Sequence, residues 1–308
     1  MQISFIKMHG AGNDYIYVDC FKNEVEKPAE TAIQISDRHF GVGADGLVLI
    51  LPSEIADCKM RIFNADGSEA QMCGNAIRCV GKYLYETGIV PHCHCGLDQQ
   101  SNVLQVETLS GIKTLKIVVS PSLSRCAPSE IKTQTIENKV ECVEVAMGKA
   151  DFTAKNVPIL VKSDTYINMP LDIDGEKYNI TAVSTGNPHC VVFCENIDEI
   201  PIEIVGKKFE HHAFFSERVN TEFVQIIDKQ TVKMRVWERG SGETMACGTG
   251  ACASVAAAVK NSLLDFDTEI CVKVLGGELF ITCKNNFEMI MKGNAVEVFR
   301  GTFCTSAK

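Results

Sequence analysis

The spacing of apolar and polar positions changes period repeatedly along the chain. From Ile3 to Asp19 it predicts a strand, a glycine-containing turn at His9–Gly12 and a second strand. Residues 28–40 carry helical spacing, GLVLIL (46–51) reads as a short apolar strand, and Lys59–Asn64 as another. Residues 73–86 are again helical in spacing. Strands follow near 103–108 and 112–119, with Ser110-Gly111 as the turn. The second half predicts strands near 142–147, 189–194, 221–227 and 232–238, a helix near 247–260, and strands near 269–274 and 278–283. Strands outnumber helices and single helices interrupt them. That pattern is α+β or mixed α/β, not a doubly wound parallel sheet.

The 308 residues suffice for two domains, and 45% apolar with 22% charged residues is ordinary globular composition. No apolar run approaches the roughly 18–20 residues of a membrane span. Lys7, His9, Asn13 and Asp14 break up the N-terminal segment, so neither a secretory signal nor a membrane association is expected. A net charge of −9 argues against a nucleic-acid partner, which needs a basic face. The 15 cysteines are an odd number in a long chain, which fits a reducing cytoplasm better than a disulfide scaffold. Cys79, Cys190, Cys194 and Cys271 read as small core hydrophobes.

A self-comparison changes the picture most. Residues 61–76, RIFNADGSEAQMCGNA, align with 235–250, RVWERGSGETMACGTG, at an offset of 174. That register pairs Arg61 with Arg235, Glu69 with Glu243, Cys73 with Cys247 and Gly74 with Gly248. It also pairs Gly12-Asn13 with Gly186-Asn187, which predicts duplication and two similar domains. A second echo, Val143-Glu144-Val145…Gly148 against Val296-Glu297-Val298…Gly301, runs at an offset of 153. If each domain needs this strand, the C-terminal tail crosses back. The expected division is 1–140 with 293–308, and 141–292.

Each copy places a cysteine at a helix start, followed by glycine. The helix dipole favours a thiolate there, and the unpaired N–H groups of the first turn make an anion site. Two such copies face to face would set an acid and a base on opposite sides of one bound carboxylate. That suits inversion at the α-carbon of an amino acid, which needs a positioned base, a held carboxylate and an acid on the far face. For a lone cysteine, helix-start packing is the better reading. Two glycine-flanked copies in one register reverse that preference.

The motifs KMHGAGNDYIYVD (7–19), RHFGVGADGLVLI (38–50), FNADGSEAQMCGNAIR (63–78), STGNPHCVVF (184–193), ERVNTEF (217–223) and WERGSGETMACGTGACA (237–253) together resemble the diaminopimelate epimerase family. The resemblance implies two pseudo-symmetric mixed α/β domains, each a curved, mostly antiparallel sheet around a central helix, with the active site in the cleft between them. It implies a cofactor-independent isomerase, with neither metal nor pyridoxal phosphate, that converts LL- to meso-diaminopimelate for lysine and peptidoglycan precursor synthesis. The catalytic pair falls on Cys73 and Cys247, the first as proton donor and the second as acceptor in one direction. Backbone N–H groups of Gly74, Asn75, Gly248 and Thr249 would hold the reacting carboxylate, with Asn13 in the same pocket. Asn64, Asn187, Asn220 and Arg239 fall on the residues for the distal end, where a guanidinium fork suits a carboxylate. His189 and Glu238 match residues beside the thiols that tune their proton affinity. Where some members carry a substrate-contacting Gln, this chain has Gly46, and where many carry a dimer-contact Tyr it has Phe299. A homodimer is expected.

Gly41–Gly46 is a literal G-x-G-x-x-G, but its helix precedes and its strand follows, the reverse of a dinucleotide fingerprint. His92-Cys93-His94-Cys95 offers four donors in a row that cannot readily converge on one tetrahedral ion, so a solvated loop is the better reading. Trp237 reads as core. Two alternatives stand beside the epimerase: a racemase for another amino acid, such as histidine, and an amino-acid-binding protein without turnover. The distal polar set argues against the first and the paired cysteines against the second.

Overall fold

The computed structural model describes residues 2–89, 102–123 and 136–304. The His92–Cys95 motif lies outside them. In the first half the strands are β1 (Gln2–Gly10), β2 (Asn13–Asp19), β3 (Gly46–Leu51), β4 (Cys58–Asn64), β5 (Glu69–Ala70), β6 (Val103–Thr108), β7 (Gly111–Leu123) and β8 (Ile136–Lys149). Helices α1 (Pro28–Ser36) and α2 (Gly74–Thr87) interrupt them. The second half holds β9 (Met169–Ile173), β10 (Glu176–Ser184), β11 (Pro188–Phe193), α3 (Ile202–Glu210), β12 (Asn220–Ile226), β13 (Thr231–Glu238), β14 (Gly242–Glu243) and α4 (Gly248–Lys260). It ends with β15 (Glu269–Val274), β16 (Gly277–Cys283), β17 (Glu288–Gly293) and β18 (Val296–Cys304).

Strand pairing runs β18-β1-β2-β3-β4-β6-β7-β8 and then β17-β16-β15-β13-β12-β11-β10-β9. The second series repeats the first in reverse about the β8/β17 pair. The parallel pairs repeat too: β2/β3 and β4/β6 in one half, β11/β12 and β13/β15 in the other. All other pairs are antiparallel. The fold is therefore two pseudo-symmetric mixed α/β units, as the 174-residue repeat implies.

The segments 143–148 and 296–301 share a sequence pattern but not a place. β8 bonds to both β7 and β17, whereas β18 lies on β1, pairing Gln2 with Cys304 and Ile3 with Phe303. The position equivalent to β18 belongs to β9, which flanks β10.

One long helix is central to each half. α4 is buried on every side from Ala251 to Val259, as its run of Ala, Val and Cys dictates. α2 packs on β8, β7, β1 and β2, and carries Arg78, fully buried, on its inner face. Gly88 in left-handed conformation ends α2, its N–H bonding the carbonyl of Leu84. No helix of the described residues is long and apolar enough to cross a membrane.

The helix expected over 28–40 stops at Ser36. Asp37 Oδ1 accepts the N–H groups of His39 (2.7 Å) and Phe40 (2.8 Å), and this turn competes with a further helical turn. The β9–β10 hairpin, not expected, turns on Asp174 (φ 55°) and Gly175 (φ 92°), a pair suited to a two-residue turn. Cys79 and Cys190 are buried core residues, whereas Cys194 and Cys271 are only half-buried.

Candidate active site

Cys73 and Cys247 each precede the first residue of a central helix, in extended conformation. The N-termini of the two helices abut across the boundary between the halves. The side-chain amide of Asn75 at the start of α2 donates to the carbonyl of Ala246, 2.9 Å away and 171 residues on. Arg78 backs this junction, donating to the Gly74 carbonyl (3.1 Å), to Asn75 Oδ1 (3.1 Å) and to the Asn294 carbonyl (3.1 Å).

Cys73 faces the start of β2. Its thiol donates to Asn13 Oδ1 at 3.4 Å. Asn13 Nδ2 is bound to Asp45 Oδ2 at 2.7 Å, and a carboxylate only accepts, so the amide orientation follows and Oδ1 must face the thiol. Asp45 is held in turn by Arg38 (2.9 Å), which also grips Asp14 (3.0 Å). The Ala76 and Asn75 N–H groups and the Tyr15 hydroxyl ease the charge of the Cys73 thiolate without outweighing burial.

Cys247 has a different surround. The Gly250 N–H donates to its sulfur (3.3 Å) and the Thr249 hydroxyl lies 3.3 Å away. Glu238 accepts from the Thr244 hydroxyl, and its charge raises Cys247. Burial pushes the Glu238 carboxyl up, with the Cys247 and Thr244 contacts pulling it back. Glu222 lies beneath the α4 start, fully buried, with Oε1 at 2.7 Å from His189 Nδ1. The other His189 nitrogen meets Asn187 Oδ1 at 2.9 Å.

The expectation that helix starts lower both thiols fails. Burial pushes Cys73 up against the pull of the Ala76 and Asn75 N–H groups, and Glu238 adds to the rise. Cys247 is pushed further, by burial first and then by the carboxylates of Glu238 and Glu222. Desolvation outweighs the helix dipole here.

The sequence-predicted residues converge only in part on open space. Asn13, Asn64, Asn187, Cys73 and Thr249 are half-buried and Arg239 is exposed, so part of each is open to solvent. Gly74 and Gly248 are buried at the helix starts. Asn75 is buried, and its side chain is spent tying the halves together. Asn220 is also buried, donating to the Pro188 carbonyl (2.9 Å) and accepting from the Arg239 N–H (2.9 Å), and so anchors Arg239. The Arg239 guanidinium touches the Glu217 carbonyl at 2.8 Å. His189 meets Asn187 and Glu222 and bonds to neither sulfur. Gly46 admits no side chain, since a Cβ would stand 2.2 Å from the Phe63 carbonyl oxygen. Phe299 is exposed on β18, edge-on to Phe5.

Sequence reasoning missed Tyr15, Asp45, Glu222 and Thr244. Tyr15 had a signal: it follows Asn13 by two residues, as His189 follows Asn187.

The diaminopimelate epimerase family model matches residues 5–123 and 181–298. The chain belongs to the diaminopimelate epimerase family. The diaminopimelate epimerase of Acetivibrio thermocellus is 49% identical over 96% of this chain and 97% of that one. That of Methanococcus maripaludis is 47% identical over 97% and 99%. The fold extends further than the family. A Bacillus anthracis phenazine biosynthesis protein of the PhzF family superposes with a TM-score of 0.66 at 19% identity, over 99% of this chain and 100% of that one. A hydroxyproline epimerase from Agrobacterium vitis gives 0.64 at 12%, over 98% and 91%.

Proposed function

We propose that the protein epimerises LL-diaminopimelate to meso-diaminopimelate by a two-base mechanism at Cys73 and Cys247, supplying lysine and peptidoglycan precursor synthesis. The observation that carries the reading is the junction of two cysteine-led helix N-termini, whose glycines Gly74 and Gly248 abut.

The α-carboxylate of the substrate is held by the N–H groups of Gly74, Gly248 and Thr249, which no helical carbonyl claims. Their partial positive charge stabilises the enolate-like charge that develops as the α-proton leaves. One sulfur, as thiolate, takes that proton on one face. The other, as thiol, delivers its proton on the opposite face, and the configuration inverts. The two sulfurs then hold exchanged protonation states. Thr249 and the Gly250 N–H at Cys247, and Asn13 at Cys73, are the hydrogen-bonding partners of the two sulfurs. No cofactor is needed by this route. Asn64, Asn187 and Arg239 bind the distal amino and carboxylate groups, His189 fixes Asn187, and Asn220 fixes Arg239.

We assign residues 1–140 with 293–308 to one epimerase domain and 141–292 to the other, with β8 bonded across their boundary. We place the enzyme in the cytoplasm, on its cysteine content, and as a homodimer through the β18 face that carries Phe299.

The test is a panel of diaminopimelate isomers, lysine and histidine, read by chiral chromatography. Inversion of LL- and meso-diaminopimelate alone supports the assignment. Inversion of histidine or lysine in preference, or binding without inversion, overturns it.

A further inference from the structure

We propose that Glu222 is a positioning residue: through the ring of His189 it fixes the amide of Asn187 with the nitrogen turned away from the protein as a donor.

His189 on β11 and Glu222 on β12 are both fully buried. The parallel register sets His189 beside Asn220 and Val191 beside Glu222. Alternation along each strand then brings Asn187 and His189, and Asn220 and Glu222, to one face. Glu222 Oε1 lies 2.7 Å from His189 Nδ1, and His189 Nε2 lies 2.9 Å from Asn187 Oδ1. The absence of a side chain at Gly250 leaves room for the carboxyl, since a Cβ there would stand 2.7 Å from Oε1.

The positions of the hydrogens follow from burial. A net charge on this pair would be costly, because water is excluded and no cation is at hand. Among the described residues Glu222 pairs with no lysine or arginine. The ionisable groups whose charges reach it, Glu238 of β13, Cys190 of β11 and Cys247 before α4, are all acids. A carboxyl and an imidazole without net charge hold two hydrogens between them, as acid and neutral ring or as carboxylate and imidazolium. One occupies the contact between Oε1 and Nδ1. A hydrogen on Oε2 would have no acceptor, since that atom is buried without a hydrogen-bond partner. The second hydrogen is therefore on Nε2 in either form. Nε2 donates to Asn187, which must turn Oδ1 towards the ring. Nδ2 is left without a protein partner among the described residues, on a half-buried side chain.

The repeat supplies the contrast. At the offset of 174, Glu222 falls on Val48, His189 on Tyr15 and Asn187 on Asn13. With no acid at 48, the first half grips its asparagine from the other end. Asn13 Nδ2 donates to Asp45, and Oδ1 accepts from the Cys73 thiol. One pocket asparagine offers an acceptor and the other a donor. A donor at Asn187 suits a carboxylate oxygen of the substrate and not its ammonium.

The proposal rests on the reading of Asn187 as a substrate contact. Nitrogen-15 NMR separates the two, because it reads the ring without turnover, whereas the epimerase reading would fail as absent inversion by the unaltered enzyme. The whole protein is labelled at the histidine ring nitrogens, with His189 assigned by its loss in His189→Asn. Nε2 of His189 should carry a hydrogen at neutral pH. In Glu222→Gln the new amide can donate to Nδ1, so Nδ1 should become an acceptor while Nε2 keeps its hydrogen. Kinetics supply the second readout. Glu222→Met, similar in length and without this hydrogen bond, should raise KM for diaminopimelate about tenfold, roughly the loss of one hydrogen bond to a charged group, and move kcat less. Glu222→Gln should recover most of that loss. A bare Nε2 in the unaltered enzyme, an unchanged KM in Glu222→Met, or a Glu222→Gln no better than Glu222→Met would overturn the assignment. If Glu222→Met does not fold, the hydrogen on Nε2 decides alone.

Discussion

Gly74 and Gly248 stand back to back: a Cβ on Gly248 would lie 3.5 Å from the Cα of Gly74. Met291 of β17 closes the junction beneath them, its methyl 2.7 Å from a Cβ on Gly74 and its sulfur 3.0 Å from one on Gly248. The two helix starts approach because neither carries a side chain. The glycine after each cysteine thus has a packing reason as well as a chemical one.

A second seam between the halves lies at Gly276, in the turn from β15 to β16. Its Cβ would fall 1.8 Å from the carbonyl oxygen of Ala11, in the loop that presents Asn13. Gly276→Ala must push the halves apart there. Overpacking of this kind costs about 1–3 kcal/mol. The expected result is a drop in kcat/KM of more than tenfold with a still cooperative melt. Activity equal to that of the unaltered enzyme would show that the Asn13 loop does not depend on this seam.

Arg239→Lys should raise KM for diaminopimelate by about ten- to a hundredfold, because an ammonium cannot reproduce a bidentate fork and a charged hydrogen bond is worth roughly 1.5–3 kcal/mol. Arg239 is exposed and bonds only the Glu217 carbonyl through its side chain, so stability should move by less than about 0.5 kcal/mol. Calorimetry with a non-reacting diaminopimelate analogue reads the first and thermal melting the second. Unchanged analogue binding would remove Arg239 from the distal site.

Alkaline pH should weaken the fold. Burial holds Cys58, Cys252 and Cys283 up at about 12 and Cys79 at about 11, against an ordinary value of 9.0. The folded chain therefore binds these protons more tightly than the unfolded chain. The stability they give is complete below about pH 9 and is lost as pH rises through 11 to 12. Melting temperature under reducing conditions should fall steadily above about pH 9. A flat profile to pH 11 would contradict the burial of these thiols.

The repeat made the cysteine pair legible because both copies keep Cys-Gly at one offset, and hydrophobic period placed the strands from β2 to β4 and from β11 to β13 to within a residue or two. Other features were not legible because they arise between segments far apart in sequence. Nothing near Asn75 in the chain announces that its amide is spent on Ala246. Asn220 reads as a polar pocket residue until its amide is seen bonded to Pro188 and Arg239. The helix-start argument gave the thiols' place but the wrong direction for their acidity, since the depth of burial and the approach of Glu222 and Glu238 depend on tertiary packing.

The central claim is that Cys73 and Cys247 act on opposite faces of one α-carbon. The most direct measurement is incorporation of solvent deuterium into LL- and meso-diaminopimelate in D₂O, followed by chiral separation and mass spectrometry, for the unaltered enzyme, Cys73→Ala and Cys247→Ala. Each inverted product of the unaltered enzyme should carry one solvent deuterium at the α-position. Either alanine variant should lose inversion by at least about 10²–10⁴, the usual contribution of a positioned acid or base. Inversion without solvent deuterium, or unaltered inversion by either variant, would contradict the two-thiol account.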